Sequence, residues 1–373
     1  MAGEPLGPGA AGVSRPRVAT AWLACVSACV MALSAKAASP AAQTDATRAD
    51  QTISAASGAA AAVAIDREPA VANERDIPRP VRIAPGVYAM LGSGDAVAPR
   101  NHGIVANNGF VVGKSGVVVI DTGASYRYGR AMIEAIHRVT PLPIELVVIT
   151  HQAPEFVFGA AAFRDAGIPI LAHRRTAELI AARCSICLAN LRRTLGEEEM
   201  SGSRVTVPDR TVDASTRIDV GERPLELLYF GAAATPGDLA VRDVRTGVVF
   251  AGALVSVGRV PELRNESIPG WLTALGRIHA LGASQVVPGF GPVVSPDQID
   301  ATGQYLRELD ASVRKAYASG QGLAEARLHA QAPDFNQWKL YGVAHPQNVQ
   351  QVYLELERAD KADKADKTPN VRE

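Results

Sequence analysis

An alternation along the chain constrains its fold more than any other feature. Short, mainly apolar runs are separated by longer segments whose apolar residues recur every three to four positions. The runs are Val111-Val112, Val117 to Ile120, Leu146 to Ile149, Ile168 to Leu171, Leu225 to Phe230, Val248 to Phe250 and Gln285 to Val287. Most of them lack the regular polar alternation of a half-exposed strand, which predicts buried strands. The helical periods are Arg130 to Val139, Arg175 to Leu195, Gly270 to Leu281 and Pro296 to Ala318. Strands alternating with helices predict an α/β domain, expected over Ile77 to Arg358. Loops that follow such strands are where the class places its chemistry.

Outside that domain the sequence changes character. Arg15 and Arg17 precede an apolar stretch, Val18 to Leu33, which ends in Ala35-Lys36-Ala37. This is the pattern of a cleaved export signal over residues 1–37. The stretch is shorter than the roughly 20 residues a membrane-spanning helix needs, so no span is expected after cleavage. A lipoprotein site at Val26-Ser27-Ala28-Cys29 is the rival reading. Residues 38–76 are rich in Ala, Thr and Ser and read as a flexible spacer. At the other end, 359–373 is a charged tail carrying the triplet repeat Ala-Asp-Lys. With 38 basic and 38 acidic residues the net charge is zero, which gives neither a field for nucleic acid nor a polybasic membrane patch. The expected location is the periplasm or the exterior.

Four loops after apolar runs carry recognisable landmarks. The first is Asp121-Thr122-Gly123. The second runs Thr150-His151-Gln152-Ala153-Pro154-Glu155-Phe156-Val157-Phe158-Gly159. The third is Ala233-Ala234-Thr235-Pro236-Gly237-Asp238, leading to Phe250-Ala251-Gly252-Ala253-Leu254. The last is Val287-Pro288-Gly289-Phe290-Gly291-Pro292. In order and context these resemble the metal loops of the metallo-β-lactamase superfamily. The resemblance implies an αββα four-layer sandwich. Within the superfamily the chain is similar to exported zinc metallohydrolase-like proteins of quinoprotein relay systems. That narrower likeness rests on Asn107-Asn108-Gly109-Phe110, Gly258-Arg259-Val260-Pro261, Gly270-Trp271-Leu272 and His345-Pro346-Gln347-Asn348-Val349. It implies a setting of periplasmic alcohol oxidation that uses pyrroloquinoline quinone.

The same resemblance implies ligands that this chain lacks. The superfamily's second loop reads Thr-His-x-His-x-Asp-His, because zinc wants imidazole and carboxylate donors converging in a tetrahedron. Here only His151 is retained, and Glu155 is a conservative change. Ala153, Phe156, Ala234, Ala253 and Phe290 stand at the other ligand positions, and none of them has a lone pair to offer. A catalytic zinc needs about three protein ligands and an open place for water, so no cofactor is expected. If the loops keep their places, Phe156 and Phe290 fill the former metal cavity, each ring contributing on the order of 2 kcal/mol.

Two further features remain. His151, read on its own, is either a relic acid/base group or a histidine fixed by hydrogen bonds at a strand end, and Asp238 braces its loop. His102 and His173 lie near expected loop mouths and are candidates to line a pocket. Cys184 and Cys187 have Cys-x-x-Cys spacing, but they fall mid-helix on an apolar face with Ile180, Leu188, Leu191 and Leu195. Core packing, with or without a disulfide, competes there with thiol redox chemistry. The leading expectation is an exported accessory or binding protein whose partner is a periplasmic protein or a small apolar ligand. The rival is a hydrolase of thioesters, lactones or β-lactams, using zinc or acid/base chemistry at His151, Glu155 and Asp238.

Overall fold

Val117, Val118, Val119 and Ile120 are all buried because the strand they form is covered on both faces. Val117 and Val119 meet helices on one side, and Val118 and Ile120 meet a second sheet on the other. That period of two, repeated in neighbouring strands, builds the molecule. A computed structural model describes residues 79–263 and 268–366. The expected signal, lipoprotein site and spacer lie outside the described residues.

The first half of the chain supplies β1 (Val81–Ala84), β2 (Val87–Met90), β3 (Asn108–Val112), β4 (Val117–Ile120), α1 (Tyr126–Val139), β5 (Ile144–Ile149), α2 (Pro154–Val157), α3 (Ala160–Asp165), β6 (Ile170–His173), α4 (Arg174–Leu195) and β7 (Arg210–Val212). Its strands form one sheet in sequence order, antiparallel from β1 to β4 and parallel from β4 to β7. The second half supplies β8 (Thr216–Val220), β9 (Arg223–Tyr229), β10 (Leu239–Asp243), β11 (Val249–Ser256), α5 (Ile268–Ala280), β12 (Val286–Phe290), α6 (Asp300–Ala318), α7 (Leu323–His329) and α8 (Tyr341–Asp366). Its sheet runs β12-β11-β10-β9-β8, antiparallel except where β11 meets β12.

Three apolar clusters divide the interior. One lies between the sheets and joins Val118, Ile120, Leu146 and Val148 to Leu225, Leu227, Val241 and Phe250. The second packs α1, α3 and α4 on the outer face of the first sheet. The third packs α5 to α8 on the outer face of the second. This is the αββα sandwich. Several boundaries and elements differ from the sequence reading. The period at Pro296 to Ala318 is one turn of 3-10 helix, Pro296–Ile299, followed by α6. Strands β1, β2, β7, β8 and β10, and helices α2, α3, α7 and α8, join the expected elements. Helix α8 also continues through the charged triplets to Asp366, past the end expected at Arg358. Among the described residues no helix is long and apolar enough to cross a membrane.

Candidate functional site

The four landmark loops converge at one edge of the sandwich around a cavity of about 50 Å³. That is room for a few water molecules. His151, Gln152, Ala153 and Glu155 line it from the second loop, Ala234 and Thr235 from the third, Ala253 from β11 and Phe290 from β12. Phe156 does not line it but supports it from below. Its ring is fully buried and lies edge-on to His151 at 4.2 Å and to Phe290 at 5.4 Å.

The first loop holds the second in place. Asp121 is buried in left-handed backbone (φ 58°). It accepts from the Thr150 amide at 2.8 Å and the Thr150 hydroxyl at 2.7 Å. That hydroxyl also lies 2.9 Å from His151 Nδ1. A hydroxyl has one proton to give, and it goes to Asp121 while that group is ionised. His151 Nδ1–H then donates to Thr150. Gly252 makes the packing possible: at φ 51° a Cβ there would stand 2.4 Å from the Thr150 hydroxyl oxygen. Asn107 ties down the last loop, donating to the carbonyls of Pro288 and Gly291 at 2.8 Å each.

Burial pushes the Asp121 carboxyl from its ordinary 3.8 up to about 7, against the two Thr150 bonds that pull it down. An acid whose folded pKa is raised stabilises the fold most below its unfolded pKa, where both states are protonated. That advantage is lost as pH rises toward the folded value. Stability is therefore expected to fall between about pH 4 and 7 and to level off above. Asp121→Asn keeps an acceptor for the Thr150 amide and tolerates left-handed backbone, so it is expected to flatten this decline. Urea midpoints across the range check it; a variant with the parent's slope would remove Asp121 as the source.

Each residue singled out in the sequence now has a place. His151 and Glu155 share the cavity wall. Asp238 does not join them there: buried, it accepts from the amide and hydroxyl of Thr235 and braces the third loop. Glu155 sits in the first turn of α2, with Pro154 at the position where a missing N–H costs nothing. His102 and His173, the two candidates to line a pocket, are not in the wall of this cavity. His102 pairs with Glu199 at 2.9 Å. His173 caps α4 and stacks on Tyr229 at 4.1 Å. Cys184 is a buried free thiol 3.7 Å from the Gln152 carbonyl, and Cys187 is half-buried at the edge of the same cluster. Hydrogen bonding to Cys187 and burial raise the Cys184 pKa, which disfavours the thiolate that redox chemistry needs.

Sequence reasoning missed Arg259 as a wall residue. It comes from the loop after β11, is 4% exposed, and lays its guanidinium over the Phe290 ring at 3.6 Å. Glu262 pairs with it at 3.0 Å. Only the Arg-x-x-Glu spacing in the loop after an apolar run signalled this, and that spacing alone carries no direction.

These residues do not fit the superfamily's zinc. Among the described residues, no three His, Cys, Asp or Glu side chains come together to hold a metal ion. An aromatic ring with a cation stacked on it occupies the corner of the last ligand, which opposes a second cation there.

Comparison with known proteins agrees with this architecture. The family model described as the metallo-beta-lactamase superfamily matches residues 103–290. Among solved structures the chain is similar to a metallo-beta-lactamase from Pontibacter korlensis, with 22% sequence identity and a TM-score of 0.51. The match covers 61% of this chain and 98% of that one, and at that identity it speaks for the fold alone. No curated protein matches the chain. The landmark loops, the paired sheets and the family match lead to one assignment: this chain belongs to the metallo-beta-lactamase superfamily.

Proposed function

We propose that this is a non-hydrolytic member of the superfamily, an exported accessory or binding protein that serves periplasmic quinoprotein-dependent oxidation. One observation carries the loss of hydrolysis. Phe156 and Phe290 meet edge to face at 5.4 Å where two ligands are expected, and Arg259 covers the second ring. Without a bound metal nothing lowers the pKa of an attacking water toward neutrality. The retained groups have structural duties instead: Asp121 organises Thr150 and His151, and Asp238 organises Thr235. The quinoprotein setting rests on the flanking segments, of which Asn107 and Asn348 brace the loops of the cleft.

The test is elemental analysis of protein purified without chelator or tag, alongside assays on thioesters, lactones and β-lactams with and without zinc. Less than about a tenth of an equivalent of zinc and no hydrolysis are expected. Near one equivalent, with turnover, would overturn the proposal. Ala153→His, Phe156→His and Ala234→His combined are also expected to leave hydrolysis absent. Phe290 and Arg259 still occupy their corner, and Ala253 still offers no carboxylate. Zinc-dependent turnover in that variant would show that three restored imidazoles suffice.

A further inference from the structure

The cleft leaves Cys184 and Cys187 without a role. They stand three residues apart in the interior of α4, well inside both ends of its 22 residues. Neither is in a disulfide. Cys184 is 1% exposed within the apolar cluster under α1, α3 and α4, and Cys187 is half-buried against it. The two thiols are hydrogen-bonded to each other, and Cys184 also reaches the Gln152 carbonyl at 3.7 Å. Core packing accounts for Cys184, a small apolar residue in a buried stripe. It does not account for a second thiol turned toward the first from the edge of that stripe.

The spacing decides what such a pair can do. Side chains three apart on a helix have Cβ atoms about 5–6 Å apart. A disulfide wants about 3.5–4.5 Å, so closing one would distort the helix. An ion held between the sulfurs meets no such conflict, since it adds two metal–sulfur bonds to the span. The donors then select the ion. Zinc wants four ligands, or three and a water, and among the described residues no third His, Cys, Asp or Glu joins the pair. Soft thiolates select copper(I), which two sulfurs in line can satisfy.

We propose that Cys184 and Cys187 bind one copper(I) ion between their sulfurs. On binding, each thiol releases its proton to solvent and forms one metal–sulfur bond, and no electron is transferred. The mutual hydrogen bond and burial raise the Cys184 pKa. The unloaded pair therefore stays protonated and unreactive until a soft cation displaces the protons. The site lies on α4 outside the cleft wall, and it stands whether or not the cleft is hydrolytic.

The test uses the full chain carrying Cys25→Ser and Cys29→Ser, so that no other thiol competes. The protein is reduced, kept anaerobic and titrated with copper(I) against bicinchoninate, whose coloured copper(I) complex reports the metal it holds. One equivalent is expected to pass from chelator to protein, with X-ray absorption showing two sulfur neighbours. Cys187→Ser and Cys184→Ala are each expected to weaken capture at least about a hundredfold, beyond what losing a residue behind the ligands costs. Either variant decides alone if the other fails to fold. Excess zinc is expected not to displace the copper. Failure to take copper(I) from the chelator, parent-like capture in either variant, displacement by zinc, or closure to a disulfide on exposure to glutathione disulfide each overturns the proposal. Zinc-dependent hydrolysis at the cleft sinks the non-hydrolytic reading and leaves this site untouched.

Discussion

Phe156→Ala is expected to destabilise the protein by about 3–5 kcal/mol, the range for truncating a fully buried aromatic ring. The ring is inaccessible to solvent and belongs to the cluster under α1, α3 and α4. It lies edge-on to both His151 and Phe290, and a Cβ on Gly289 would stand 3.3 Å from its tip. The surrounding loops have little room to close over the void. Their backbones are pinned by Thr122, whose amide and hydroxyl both donate to the Phe156 carbonyl at 2.8 Å, and by Asn107 on the far side. Phe156→Leu should cost less, because it keeps part of the volume. Urea unfolding reads the result as a lowered midpoint at unchanged slope. A loss below about 1 kcal/mol would mean that the ring is not packed as core. Added zinc is expected to leave the midpoint of parent and variant unmoved, since only a ligand that binds the native state raises it. A zinc-dependent rise would reveal donors that the side-chain arrangement does not assemble.

The contrast between what could and could not be read from the sequence follows from where the information lies. Val117 to Ile120 announces itself because both faces of β4 are covered, so every residue must be apolar. Strand β8, by contrast, is an edge strand with alternating exposed and half-buried residues, Thr216 to Asp219, and its composition resembles a loop. Helix α4 reads cleanly because Ile180, Cys184, Leu188, Leu191 and Leu195 form one buried stripe. Helix α8 does not, because His345 and Asn348 stand among its buried positions and Pro346 interrupts it. Buried polar residues are satisfied by tertiary partners that no linear period reveals. The site divides the same way. The lost ligands at Ala153, Phe156, Ala234, Ala253 and Phe290 are visible because the loop order survives. The inward turn of Arg259 and the orphaned oxygen of Gln152 depend on how separate loops converge, so only coordinates show them.

Asn348→Leu is expected to cost about 3–5 kcal/mol and to loosen the lip of the cleft, since each buried group left unpaired carries roughly 1–3 kcal/mol. Asn348 is 1% exposed on α8 and uses its amide fully toward the protein. Its nitrogen donates to the Pro261 carbonyl at 2.7 Å and to the Tyr305 hydroxyl at 2.8 Å, and its oxygen accepts from the Leu263 amide at 2.9 Å. Tyr305 can accept that bond because its own proton goes to His345 Nδ1, which is open because Nε2–H donates to the Ala330 carbonyl at 2.8 Å. Burial lowers the His345 pKa and so favours the neutral ring this wiring needs. Leucine has a similar volume but offers no donor or acceptor, so it strands the Pro261 carbonyl and the Leu263 amide together. Those two groups bracket Glu262, the partner of Arg259 in the cleft. Two readouts separate this clamp from simple core packing. Global stability should drop, and hydrogen exchange at the Leu263 amide should speed up by more than the global change accounts for. A variant that loses stability while Leu263 keeps its protection relative to the rest of the domain would mean that α8 is a structural prop alone. The shape of the cleft would then be set from within the loops that line it.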